Sequence, residues 1–123
     1  MATILLAEDE PHIMRVMSLW LQRHGHVTIE TANGLEALEA LDRGAVDLMI
    51  SDANMPGLDG ESLIRAVREE RALRIPIVMI TARCDQSKVA EAMKAYGVHL
   101  LPKPFVPSRL VTQIDRLLAA PAA

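Results

Sequence analysis

Five side chains in this sequence of 123 residues could do chemistry together, because each lies at or just past the C-terminal end of an apolar run. Glu8 and Asp9 follow Ile4-Leu5-Leu6-Ala7, Asp52 follows Leu48-Met49-Ile50-Ser51, and Asp85 and Lys103 come after later runs. Three carboxylates brought to one rim would repel by roughly 4 kcal/mol per pair at ~4 Å and an effective dielectric near 20. Such a cluster calls for a cation, and a hard divalent metal suits oxygen donors. A carboxylate can also attack phosphorus and form an acyl phosphate. Asp52 is placed for this, because Pro56, Gly57 and Gly60 follow it closely and mark a tight turn before a helix. Taken alone, Asp52 reads equally as a turn cap, and Glu8 and Asp9 read equally as solvated loop acids. Jointly they favour a metal site.

Two further groups join the rim. Thr81 ends the fourth apolar run beside the small Ala82, so its hydroxyl could donate to a phosphoryl oxygen; alone it is an ordinary β-branched strand residue. Lys103 lies between Pro102 and Pro104, which stiffen the backbone around one compact, strongly hydrated ammonium. Asp85 sits several residues past its run, with Gln86 and Ser87 behind it, and reads as a helix cap. It leaves the set.

The elements that must position these groups alternate regularly. Apolar runs at 3–7, 27–31, 48–51, 75–81 and 98–101 are nearly continuous in Ile, Leu, Val and Met, as strands buried on both faces should be. Between them Ile13, Val16, Met17, Trp20 and Leu21 recur at helical spacing. Leu35, Leu38 and Leu41, then Leu63, Ile64 and Val67, then Leu110, Val111, Ile114, Leu117 and Leu118 do the same. Pro11 opens the first helix, Gly25 closes it and Gly97 ends the fourth. The pattern predicts an α/β protein with a doubly wound parallel sheet. A flavodoxin-like (βα)5 order, 2-1-3-4-5, would set strands one and three side by side at the switch point and bring Glu8, Asp9 and Asp52 together.

Composition narrows the function classes. Half the residues are hydrophobic, 24% are charged, and the net charge is −3 without a basic block, which argues against nucleic-acid binding. No apolar run approaches the ~20 residues of a membrane span. The single Cys84 forms no internal disulfide and fits a reducing, cytoplasmic setting. One domain over 1–119 with a loose tail over 120–123 is expected, either as a free module or cut from a longer chain.

Glu8-Asp9, Asp52 with Met55-Pro56-Gly57-Leu58-Asp59-Gly60, Thr81-Ala82 and Lys103-Pro104-Phe105 resemble the receiver domain of response regulators in two-component and phosphorelay systems, in its single-domain, chemotaxis-regulator-like form. The resemblance runs over about 3–118, with the motifs in family order. It implies that Asp52 is the phosphoacceptor, charged by a histidine kinase or histidine phosphotransfer protein. It implies that Asp9, Asp52 and the backbone carbonyl of Asn54 ligate Mg²⁺, that Glu8 acts mostly through a bound water, and that Mn²⁺ can substitute. Lys103 and Thr81 would hold the phosphoryl group, and an unnamed downstream protein would read the switch, which catalyses only its own phosphorylation and dephosphorylation. The resemblance also implies that Asn54 and Arg83 flank the site, at positions that in receivers influence the lifetime of the phosphorylated state.

One position departs from the family. Receivers usually carry Tyr or Phe three residues before the lysine, where this sequence has Leu100. Tyr96 is a candidate to take over part of the signal, against a plain role as a helix-end aromatic; relay through the loop at 83–88 is the other expectation. Two alternatives stand beside the switch. One is a phosphorylation-independent docking module of the same fold. The other is a Mg²⁺-dependent phosphatase of the haloacid-dehalogenase type, whose order of acids and second Asp do not match this chain. His12 is the one histidine near the acids; Met14, Met17, Met49, Met55, Met79 and Met93 read as packing residues.

Overall fold

The computed structural model describes residues 2–53, 58–81 and 88–119, with backbone only for residues 88–90. Strands β1 (Thr3–Ala7), β2 (Val27–Thr31), β3 (Leu48–Asp52), β4 (Ile77–Thr81) and β5 (Val98–Pro102) alternate with helices α1 (Pro11–Arg23), α2 (Gly34–Arg43), α3 (Gly60–Arg65), α4 (Lys88–Ala95) and α5 (Pro107–Ala119). All pairings are parallel and the order is β2-β1-β3-β4-β5, the order expected from the sequence. Crossing helices cover both faces, so alternate strand residues feed two cores. Ile4, Leu6, Leu48, Ile50, Val78 and Ile80 pack with residues of α1 and α5, such as Met17, Leu21, Leu110 and Ile114. Leu5, Met49, Ile77 and Met79 pack on the other side with Leu41, Leu63, Ile64, Val67 and Met93. That period-two division explains why the strands read as continuous apolar runs. Met14, Met17, Met49, Met79 and Met93 are all buried there.

Punctuation works as the residues require. Pro11 is the first residue of α1, and Gly25 and Gly97 take positive φ, +86° and +74°, where a side chain would be strained. Asn33 and Asp59 cap α2 and α3 by accepting from the backbone N–H groups of Glu36 and Ser62. Three expected boundaries move. β3 and β5 each run one residue further, to Asp52 and Pro102. β4 begins at Ile77 rather than at 75, because Pro76 has no N–H for the ladder. In its place the Pro76 carbonyl accepts from Met49 N–H at 3.0 Å.

The third helix ends in a π-helical turn, Ala66–Glu70, which sequence periodicity does not announce. Arg68 in this turn donates to the carbonyls of Tyr96, Leu73 and Ile75 at 2.8, 2.8 and 2.9 Å. It therefore ties the C-terminal end of α4 to the approach to β4. Arg68→Ala is expected to lower stability by about 2–3 kcal/mol, since three carbonyls lose a charged donor. Arg68→Lys should restore less than half, because one ammonium cannot fan across three acceptors. Urea midpoints of the three proteins check this; equal midpoints would remove the tie from the account.

Candidate functional site

Register brings the strand ends level. Ala7 pairs with Ser51, Asp52 with Ile80, and Thr81 with Pro102. Chain leaving β1, β3, β4 and β5 therefore emerges at one rim. Glu8, Asp9 and Asp52 meet there, each offering a carboxylate oxygen within 4.8 Å of the others. Glu8 and Asp52 are buried, and Asp9 is exposed.

Each group is held by backbone contacts of its neighbours. Glu8 N–H donates to the Thr31 carbonyl at 3.0 Å, and the Thr31 hydroxyl donates back to the Leu6 carbonyl at 2.7 Å. Glu8 Oε1 accepts from Glu10 N–H at 3.2 Å. Behind Asp52, Ala53 N–H donates to the Ile80 carbonyl at 3.0 Å and the Ser51 hydroxyl donates to the Asp52 carbonyl at 2.9 Å. Gly60 closes over the elbow. A Cβ at Gly60 would lie 2.7 Å from the Asp52 carbonyl oxygen and 2.9 Å from Ala53 Cα, so backbone would have to move. Gly60→Ala should cost about 1–3 kcal/mol of stability, as overpacking does. It should also slow by about tenfold the phosphoryl transfer that the sequence resemblance implies for Asp52, under conditions where the variant is fully folded, because small misplacements carry large rate penalties. A rate unchanged in the folded variant would contradict that positioning role.

Lys103 reaches the same point from β5. Its N–H donates to the Thr81 carbonyl at 2.9 Å, the Lys103–Pro104 peptide is cis, and Nζ stands 2.7 Å from Asp52 Oδ1. That contact is a close ion pair, and Glu8 Oε2, buried beside it, has no hydrogen-bond partner among the described residues. Three clustered carboxylates thus face one ammonium, with a buried Glu8 oxygen left unpartnered, which is a set a hard cation fits. Burial pushes the Glu8 carboxyl up to about 7, with the negative charge of Asp52 the next cause. For Lys103, burial is the largest influence and lowers it, but the attractions of Asp52, Glu8 and Glu10 outweigh burial and leave it raised. Thr81 is buried at the end of β4 beside them.

The structure thus brings Glu8, Asp9, Asp52, Thr81 and Lys103 to one rim. Asn54, Met55, Arg83, Cys84, Asp85 and most of the 83–88 loop lie outside the described residues. Leu100 is half-buried, opposite Met79, in the core that also holds Tyr96. The Tyr96 hydroxyl donates to Glu69 Oε2 at 3.1 Å, which binds the end of α4 to the π-helical turn. His12 is exposed on the first turn of α1. Gly60, Ser51 and Thr31 support the site through backbone carbonyls, and sequence reasoning did not single out their contacts. The Asp-Gly pair before α3 was the one available signal, and it read only as a turn.

Comparison with known proteins agrees with this geometry. Residues 4–115 match the family model described as the response regulator receiver domain. The transcriptional regulatory protein ResD of Bacillus subtilis is 33% identical over 94% of the chain, which spans about half (47%) of that regulator's length. Chemotaxis response regulator CheY4 of Vibrio cholerae superposes with a TM-score of 0.86 at 33% identity, covering 95% of this chain and 98% of that one. Response regulator TrrA of Thermotoga maritima, solved in complex with Mg(2+)-BeF, gives 0.81 at 28% identity over 95% and 99% of the two chains.

Proposed function

Because this chain belongs to the response regulator receiver domain family, we propose that Asp52 is its phosphoacceptor and that its strand-end pocket takes phosphoryl from a phosphohistidine donor. The observation that carries this is the buried Asp52 carboxylate facing Lys103 Nζ at 2.7 Å within a cluster of three acids. Asp9, Asp52 and the Asn54 carbonyl would hold Mg²⁺, with Glu8 acting through water, and Mn²⁺ would substitute. The metal would neutralise charge on the phosphoryl oxygens during transfer. Lys103 offsets further charge there, and the Thr81 hydroxyl stands at the same rim to donate to an oxygen of the group. Asp52 attacks phosphorus, the bond from phosphorus to the donor's imidazole nitrogen breaks, and neutral histidine is restored on proton uptake. Water attacking the aspartyl phosphate resets the switch.

A groove of about 410 Å³ beside Lys103 supports a protein donor. Ile13 and Val16 of α1 form one wall, and Pro104, Phe105 and Pro107 the other, with His12 at the rim. A helix carrying the phosphohistidine would lay its apolar face there while its imidazole reaches Asp52. The product would be read by a downstream protein, in the cytoplasm, with no nucleic acid bound by these residues. No described helix is long and apolar enough to cross a membrane.

Incubation with acetyl phosphate or phosphoramidate, with and without Mg²⁺, followed by intact mass, tests the reading. One added phosphoryl group is expected, and only with the metal. No adduct under any condition would favour a docking module that works without phosphorylation, and steady turnover of a phosphate ester would favour a phosphatase.

A further inference from the structure

We propose that Glu10 governs which phosphoryl donors reach Asp52, its exposed carboxylate at the mouth of the site disfavouring small dianionic donors. The inference rests on the reading of Asp52 as phosphoacceptor and goes beyond it to donor selection.

Glu10 stands where a side chain has a local use that it does not take. It is the residue before α1, in extended conformation (φ −91°, ψ 112°), and its side chain makes no capping bond to the helix. Its own N–H is committed to Glu8 Oε1 at 3.2 Å, which fixes the Glu10 backbone directly against the acid pocket. The side chain is exposed, and among the described residues no ion pair or hydrogen bond engages its carboxylate. Its charge is nonetheless felt inside, being one of the attractions acting on Lys103. The pocket itself can be neutral: three carboxylates are matched by Lys103 and one divalent cation. Among the described residues, Glu10 then adds a negative charge without an ion-pair partner that an incoming donor meets.

The consequence depends on donor charge. Acetyl phosphate arrives as a dianion, whereas phosphoramidate carries a protonated nitrogen and one less negative charge. With either, an Asp52 oxygen bonds to phosphorus as the bond to the leaving group breaks. Acetate leaves with that electron pair in the first case, and ammonia leaves with it in the second. The Asp52 chemistry is common to both, so a charge at the mouth alters their ratio rather than the chemistry itself.

The test measures second-order phosphorylation rates from both donors, in saturating Mg²⁺, for the parent, Glu10→Gln and Glu10→Asp. Glu10→Gln should raise the acetyl phosphate rate by about fivefold and the phosphoramidate rate by about twofold or less, as expected for one charge removed near ~8–10 Å in a mostly aqueous path. Glu10→Asp keeps the charge and should keep the parent's ratio, which a merely structural role would not. At 1 M salt, where the Debye length is about 3 Å, the difference between Gln and parent should vanish. A donor ratio unmoved by Glu10→Gln, or a change that survives high salt, overturns the proposal while leaving Asp52 as acceptor. Absence of any adduct on the parent overturns both.

Discussion

Asp52→Asn is expected to lose the phosphoryl adduct by at least ~10³-fold, the scale on which enzymes lose rate when a nucleophile is removed. The amide is nearly isosteric with the carboxylate, so the elbow built by Ser51, Ala53 and Gly60 stays in place and the loss is chemical rather than structural. Two electrostatic effects accompany it. Lys103 would face a neutral amide in place of its 2.7 Å ion-pair partner, so the attraction that raises it weakens. Glu8 would lose the second of the two main influences holding it near 7, and should titrate lower. Intact mass with peptide mapping checks the chemistry, and carboxyl resonances of Glu8 check the electrostatics. An adduct forming at the parent's rate on the Asn variant would place the acceptor elsewhere, with Asp9 the first candidate.

The fold and the rim were largely legible because their signals are local. An apolar run followed by an acid needs only neighbours in sequence to be seen, and parallel topology then forces strand ends together. Pro11, Gly25 and Gly97 act through their own backbone preferences, so their positions transfer directly from sequence to structure. Arg68 shows what is not legible. Its three acceptors lie 5, 7 and 28 residues away, and nothing near Arg68 distinguishes it from Arg65 or Arg71, which pair on the surface. Gly60 was visible as a turn residue, but its meaning lies in a 2.7 Å approach to a carbonyl that only the folded backbone supplies. Leu100 was legible as a departure. Its packing in the same core as Tyr96, itself bonded to Glu69, puts the aromatic of this face on the α3–α4 side rather than on β5.

The second large effect is on metal and pH together. A buried carboxyl that holds its proton to about pH 7, against an ordinary value of 4.5, is ionised at a cost in the folded protein. Between those values the metal-free native state binds more protons at Glu8 than the unfolded chain does. Its contribution to stability is therefore greatest below pH 4.5 and falls as pH rises through about 7. After allowance for solvent at the open mouth, the change is on the order of 2 kcal/mol. Bound Mg²⁺ would reverse the preference, because a cation favours the ionised carboxylate. Metal-free protein should therefore lose stability across that window, and saturating Mg²⁺ should flatten the slope. Mg²⁺ affinity, read from amide-shift titrations, should rise with pH up to about 7 and then level. The rise should be at most about tenfold per unit, the limit for one competing proton, and shallower if Glu8 acts through water. Glu8→Gln should remove the stability slope while Asp9 and Asp52 still bind metal more weakly. Phosphorylation from acetyl phosphate should cease altogether in excess chelator, since the acid cluster then has only Lys103 to offset it. Affinity independent of pH between 5 and 8 would mean that Glu8 is not linked to the metal, and the three-acid site would reduce to Asp9 and Asp52.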